Sequence, residues 1–172
     1  MQLLWYLLWY SFLGFCIEVL YARAAGSPKQ DRKCHLFLPL CPVYGVGGTL
    51  IVSLPTWMDK QLPLLFLASA LLATGTEYLL SVFYEKVWRV SFWSYADRPG
   101  NLHGRVCLLF SLVWGLLGVL LVRVVHPLVS AAAGSVPDFL ALPALLLFFA
   151  DFALTTVRLR RRGSTDALIW YR

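Results

Sequence analysis

The sequence predicts an all-α polytopic membrane protein: a bundle of five transmembrane helices, the second broken by proline and glycine, with the N-terminus outside and the C-terminus in the cytoplasm. Three observations carry that prediction. Of the 172 residues, 59% are hydrophobic and only 14% charged, whereas a soluble domain carries about 25% charged residues. Five segments approach the roughly 20 apolar residues that cross a bilayer core. The basic residues collect on alternate connections between those segments. A disordered chain is excluded, because so apolar a sequence collapses in water. The net charge of +6 does not point to nucleic acid, since the basic residues form no solvated basic face.

The first span covers 3–21. Ala22-Arg23-Ala24 mimics a signal-cleavage site, but the segment has no basic start and carries Glu18 inside its apolar run, so it reads as a retained helix. The second, over 36–57, contains Pro39, Cys41 and Pro42, then Gly45, Gly47 and Gly48. Each proline removes a donor and restricts its predecessor. The expectation is a half-helix beginning near Val43, a turn loosened by the glycines, and a broken entry packed against carboxylates. Its amide end favours an anion or a carboxylate.

Span three (62–84) carries Ala68, Ser69, Ala70, Ala73, Thr74, Gly75 and Thr76, and span four (106–126) carries Ser111, Gly115 and Gly118. Small residues let helices approach closely in lipid, so these two spans are predicted to cross tightly. His126 before Pro127 reads as the outer end of span four. Between the spans, the segment 86–103 holds Trp88, Phe92, Trp93 and Tyr95. It is predicted to lie in the inner interface as an amphipathic segment, with a turn at Asp97-Arg98-Pro99-Gly100-Asn101. Span five covers 139–157, and the whole chain, 1–172, reads as a single transmembrane domain.

Of the 15 basic residues, Arg23, Lys29, Arg32, Lys33, Lys86, Arg89, Arg98, Arg105, Arg158, Arg160, Arg161, Arg162 and Arg172 fall on one side of five spans. Only Lys60 and Arg123 fall on the other. Trp5, Tyr6, Trp9, Tyr10 and Trp57 are placed toward the outer leaflet, and Trp88, Phe92, Trp93 and Tyr95 toward the inner one. The four cysteines map to spans or the cytoplasmic side, where disulfides are rare. Cys34, His35 and Cys41 do not match a zinc spacing, and no metal site is assigned.

Ionisable groups inside a membrane are costly and usually face a partner or a water-filled cavity. Here they gather in the inner half: Glu18, Glu77, Glu85, Asp151 and Arg105. The candidate substrate or ion pathway is Glu18, Glu77, Glu85, Arg105, Asp97, Asn101 and Tyr44, beside the broken helix at Pro39, Cys41, Pro42 and Gly45. Three readings of the charged set stand: a structural ion-pair network, a substrate or proton pathway, and a catalytic centre. No catalytic residue is assigned.

The stretches SFLGFCIEVLY (11–21), LPLCPVYGVGG (38–48), TEYLLSVFYEKVW (76–88) and FWSYADRPGNLHGRVCLLFSLVWGLLG (92–118) resemble the putative ABC-transporter permease family, type IV, of small bacterial membrane proteins. The last is the most specific, through its W-x-Y-x-D-x-P-x-N-x-x-G-R-x-C-L order. The resemblance spans the first four predicted helices; span five and the basic tail match no part of it, and Gly100 departs from a bulkier residue. It implies a permease subunit in the bacterial inner membrane; because five helices are few to enclose a pathway alone, a homo-oligomer or hetero-complex is expected. The chain has no G-x-x-x-x-G-K-[ST] loop and no cofactor site of its own, so ATP would enter only through a separate ATPase subunit, docked at 92–101. Two alternatives remain at this point: an intramembrane enzyme acting on a lipid or isoprenoid headgroup, and a non-catalytic assembly or regulatory protein.

Overall fold

The computed structural model describes residues 1–27 and 33–169. Lys29, Arg32 and Arg172 of the basic count lie outside the described residues. Six helices make up nearly all of the regular structure: α1 (Gln2–Ala24), α2 (Pro42–Val52), α3 (Leu62–Phe83), α4 (Leu108–Leu120), α5 (His126–Gly134) and α6 (Ala141–Arg162). Wider π turns at Tyr84–Trp88 and Leu121–Val125 extend α3 and join α4 to α5. Among the described residues, four helices are long and apolar enough to cross a membrane: Gln2–Ala24, Leu62–Trp88, Leu108–Gly134 and Asp138–Arg162.

The second predicted span is the exception. Its helix has 11 residues, about 16 Å at 1.5 Å per residue, against a hydrocarbon core of about 30 Å. Residues 33–41 run without helix, because Pro39 and Pro42 cannot continue one. Pro42 instead occupies the start of α2, where its missing N–H breaks no bond. The five predicted spans thus become four of full length and one half-helix that begins one residue before Val43.

Gly45 and Gly48 do not loosen a turn, as the sequence suggested; they let α2 lie against α1. A Cβ on Gly45 would sit 2.0 Å from Ser11 Oγ and 2.6 Å from the Leu7 carbonyl oxygen. The predicted tight crossing of α3 and α4 is present. A Cβ on Gly118 would meet the Ser69 Cβ at 2.2 Å, and Thr74 Oγ1 donates to Ser111 Oγ at 2.9 Å.

The helix does not end at His126-Pro127. The π turn immediately before Pro127 absorbs the proline, whose ring and missing N–H disrupt the regular pattern one turn back, and α5 continues to Gly134. His126 is therefore internal, its Nδ1 2.6 Å from the Tyr10 hydroxyl. Tyr6 bonds Ser130 Oγ at 3.0 Å. Tyr6 and Tyr10 are consequently packed between α1 and α5 with Val129 and Ala133.

Trp88 is likewise packed inside the bundle. It is fully buried and donates from Nε1 to Thr156 Oγ1 at 2.8 Å, joining the end of α3 to α6. After it the chain folds back through a two-residue antiparallel hairpin, β1 (Asn101–Leu102) with β2 (Val106–Cys107). Gly100 stands at φ +65°, a left-handed conformation that glycine adopts without strain.

Gly118→Leu should destabilise the protein by about 1–3 kcal/mol through overpacking against Ser69. Gly75→Ala, where a Cβ meets nothing within 4 Å, should be neutral or stabilising by up to about 1 kcal/mol. Thermal unfolding of both variants in one detergent checks the pair; equal losses would contradict the packing.

Candidate functional site

The broken entry creates an immediate requirement: residues 33–41 expose backbone N–H groups that no helix satisfies, and such groups must be paired when buried. α6 supplies the acceptors. Leu36 N donates to Thr155 Oγ1 at 2.9 Å, Phe37 N to Asp151 Oδ1 at 3.1 Å, and Leu38 N to Asp151 Oδ2 at 2.8 Å. On the other flank, Cys41 N donates to the Ser11 carbonyl at 2.9 Å. The carboxylate holding the broken entry is thus Asp151, which reaches it four residues before Thr155 on the same helix face.

His35 is fully buried beside this arrangement, with Nδ1 3.6 Å from Asp151 Oδ2 and its ring edge-on to Trp88. Burial pushes its imidazole below the ordinary range, against the opposing pull of Asp151. Cys34 and Cys41 bring their Sγ atoms to 3.2 Å.

Because Cys41 and Pro42 are anchored in this way, Tyr44 projects from the first turn of α2 and donates to Glu18 Oε1 of α1 at 2.7 Å. Its ring meets that of Trp114 of α4 edge to face at 5.4 Å. Glu77 of α3 lies alongside, 4% exposed, with both oxygens accepting: Oε1 from the Tyr95 hydroxyl at 2.8 Å and Oε2 from Trp114 Nε1 at 2.9 Å. Burial, then the charge of Glu77, raises the Tyr95 phenol far above its ordinary value, so it remains a donor. Among the described residues no cation pairs with Glu77.

The remaining predicted residues fall elsewhere. Glu85 forms an ion pair with Arg105, partly exposed and therefore of small energetic weight. Arg105 also lies 5.6 Å from the centre of the Tyr78 ring. Asn101 shapes the turn: it donates to the Ala96 and Arg98 carbonyls and accepts from Gly104 N. Asp97 is exposed on that turn. Pro39, Cys41 and Pro42 form the entry, and Gly45 is a packing residue. The single network proposed for Glu18, Glu77, Glu85 and Arg105 is therefore divided, with Glu85–Arg105 closing one connection and Glu18 and Glu77 lining a separate space.

That space consists of two cavities. One, of about 460 Å³, is lined by Glu18, Glu77, Tyr95, Lys33 and Arg98 among others. The second, of about 300 Å³, is almost wholly apolar and runs along α1, α2 and α4 past Leu13, Gly47, Ile51, Leu120 and Val125. Ile17, Val43, Tyr44, Glu77, Trp114 and Leu117 line both, so the two meet at Glu77. Among the described residues no three His, Cys, Asp or Glu side chains are grouped to hold a metal ion.

Sequence reasoning did not name Trp114, His35 or Lys33 as site residues, and it noted Asp151 only as an inner acid. Trp114 lies four residues before Gly118 on the helix that crosses α3, the one signal that could have placed it against Glu77.

The model of the family described as Putative ABC-transporter type IV matches residues 5–156. The chain belongs to this family. The match reaches into α6, beyond the four spans in which the resemblance was visible, and so includes Asp151 and Thr155. Neither a curated protein nor a solved structure matches the chain. With its family and its four apolar helices, this Putative ABC-transporter type IV protein has the features of a membrane transport subunit.

Asp151→Ala should cost about 1–3 kcal/mol, since it leaves buried N–H groups at Phe37 and Leu38 unpaired. Asp151→Asn, which keeps one acceptor oxygen, should lose less. Thermal unfolding with limited proteolysis at 33–41 distinguishes these from a surface change; wild-type behaviour in the alanine variant would contradict the pairing.

Proposed function

We propose that the chain is the integral membrane permease subunit of an ABC-type transporter of the bacterial inner membrane, with Glu18, Tyr44, Glu77, Tyr95 and Trp114 lining its pathway. Family membership over 5–156 supports this reading, and the cavity at Glu77 is the observation that carries it. A carboxylate inside a membrane is retained where it meets a partner or a pathway, and this one faces space rather than a cation.

Hydrolysis of ATP belongs to a separate subunit, because the chain has no phosphate-binding loop. The connection after Trp88 is the docking element. Its core is pinned by Tyr95 N to the Gly104 carbonyl at 2.7 Å and by Trp93 Nε1 to the Arg105 carbonyl at 3.0 Å. The turn Asp97-Arg98-Pro99-Gly100 is left exposed. A pinned loop with an exposed charged tip presents a defined surface without an ordering cost on binding. The N-terminus lies outside, the basic tail lies in the cytoplasm, and a homo-oligomer or hetero-complex completes the pathway.

Purification of the full chain from mild detergent should recover an ATPase subunit in fixed stoichiometry. Arg98→Glu should reduce that recovery at least fivefold with an unchanged thermal midpoint. A chain that purifies alone from membranes in which every candidate ATPase is present would overturn the reading.

A further inference from the structure

The two cavities differ in a way that selects a ligand. The apolar one offers no polar partner along most of its length, and the polar one is lined by acidic and basic groups. Glu77 stands where they meet, whereas Lys33 and Arg98 line only the polar cavity. A molecule with its chain in the apolar cavity therefore presents its head to Glu77 before any basic group. A phosphate or sulfate next to the chain would meet a carboxylate and be repelled; an ammonium would be attracted.

The walls agree with the charge. Tyr44 and Trp114 stand edge to face at 5.4 Å, and Tyr95 stacks on Phe110 at 5.0 Å, all four lining the polar cavity. Aromatic walls with a nearby carboxylate are the surroundings that favour organic cations, quaternary ammonium above all. Both cavities also fall within the range of small-molecule sites, about 300–1,000 Å³.

We propose that this site binds an amphiphilic organic cation, with its ammonium head at Glu77 among the Tyr44, Tyr95 and Trp114 rings and its alkyl chain in the apolar cavity. The proposal names the substrate class of the permease, and its meaning for transport rests on that reading. Entry is from the bilayer, along the apolar cavity between α1, α2 and α4.

The test uses the full chain in lipid nanodiscs, with binding to empty nanodiscs subtracted, and three probes of one chain length: decyltrimethylammonium, decanol and decyl sulfate. The cation should bind saturably, one per chain, at least tenfold more tightly than the alcohol or the sulfate. Glu77→Gln should weaken the cation at least tenfold and leave decanol within twofold. Gly47→Leu, which grows into the apolar cavity from a position whose Cβ meets nothing closer than 3.8 Å, should weaken decyltrimethylammonium at least fivefold and spare tetramethylammonium. Equal affinity for the three probes, as expected if ordinary lipid merely fills the groove, would overturn the proposal. So would unchanged cation binding in both variants. Because binding needs no ATPase, a chain that recruits an ATPase but shows no cation preference overturns the substrate class alone. Cation-selective binding by a chain that recruits none upholds the site and overturns the permease role.

Discussion

The structure depends on how residues 33–41 satisfy their backbone without forming a helix. Where protein buries it, an unpaired N–H has no water to turn to, and leaving one unmade costs about 1–3 kcal/mol. Asp151 and Thr155 of α6 take the N–H groups of Leu36, Phe37 and Leu38. That exchange makes the half-helix α2 possible. It also explains an acid on a helix whose neighbouring positions, from Leu145 to Phe149, mostly face outward.

The polar cavity follows from the same constraint. A continuous second span would have filled the space beside α1 and α4 with side chains along its whole length. A half-helix instead fills only part of it and turns its first aromatic residue, Tyr44, toward Glu18. Glu77 is then reached from two sides, by Trp114 of the crossing helix and by Tyr95 of the folded-back connection. Each donor belongs to a different element, so the site forms only when α3, α4 and the connection are all in place. The Trp88 indole, bonded to Thr156, fixes where that connection begins.

Much of this was legible in the sequence. Apolar length located the four long helices, and Ser111, Gly115 and Gly118 foretold the tight crossing with α3. Prolines foretold the break, since their backbone chemistry is local. What was not legible depended on distance along the chain. Asp151 lies 114 residues from Phe37, and nothing in local spacing pairs them. Glu85 and Glu77 are equally acidic in sequence, yet one finds Arg105 and the other a cavity. Pro127 looked like a terminus because a π turn has no sequence signature of its own. That Tyr6, Tyr10 and Trp88 pack inside the bundle was not legible either, because burial against a neighbouring helix uses the same residue types as the headgroup region.

Under the proposed orientation, the space at Glu77 opens to water on the cytoplasmic side while its apolar extension does not. Single cysteines at Val113, which lines only the polar cavity, and Leu120, which lines only the apolar one, test it in a chain whose four native cysteines are replaced by serine. A charged, membrane-impermeant thiol reagent should label Val113→Cys in inverted vesicles and not in right-side-out vesicles, and should leave Leu120→Cys unlabelled in both. A Val113→Cys side chain sealed from both sides, or reached only from outside, would contradict the account.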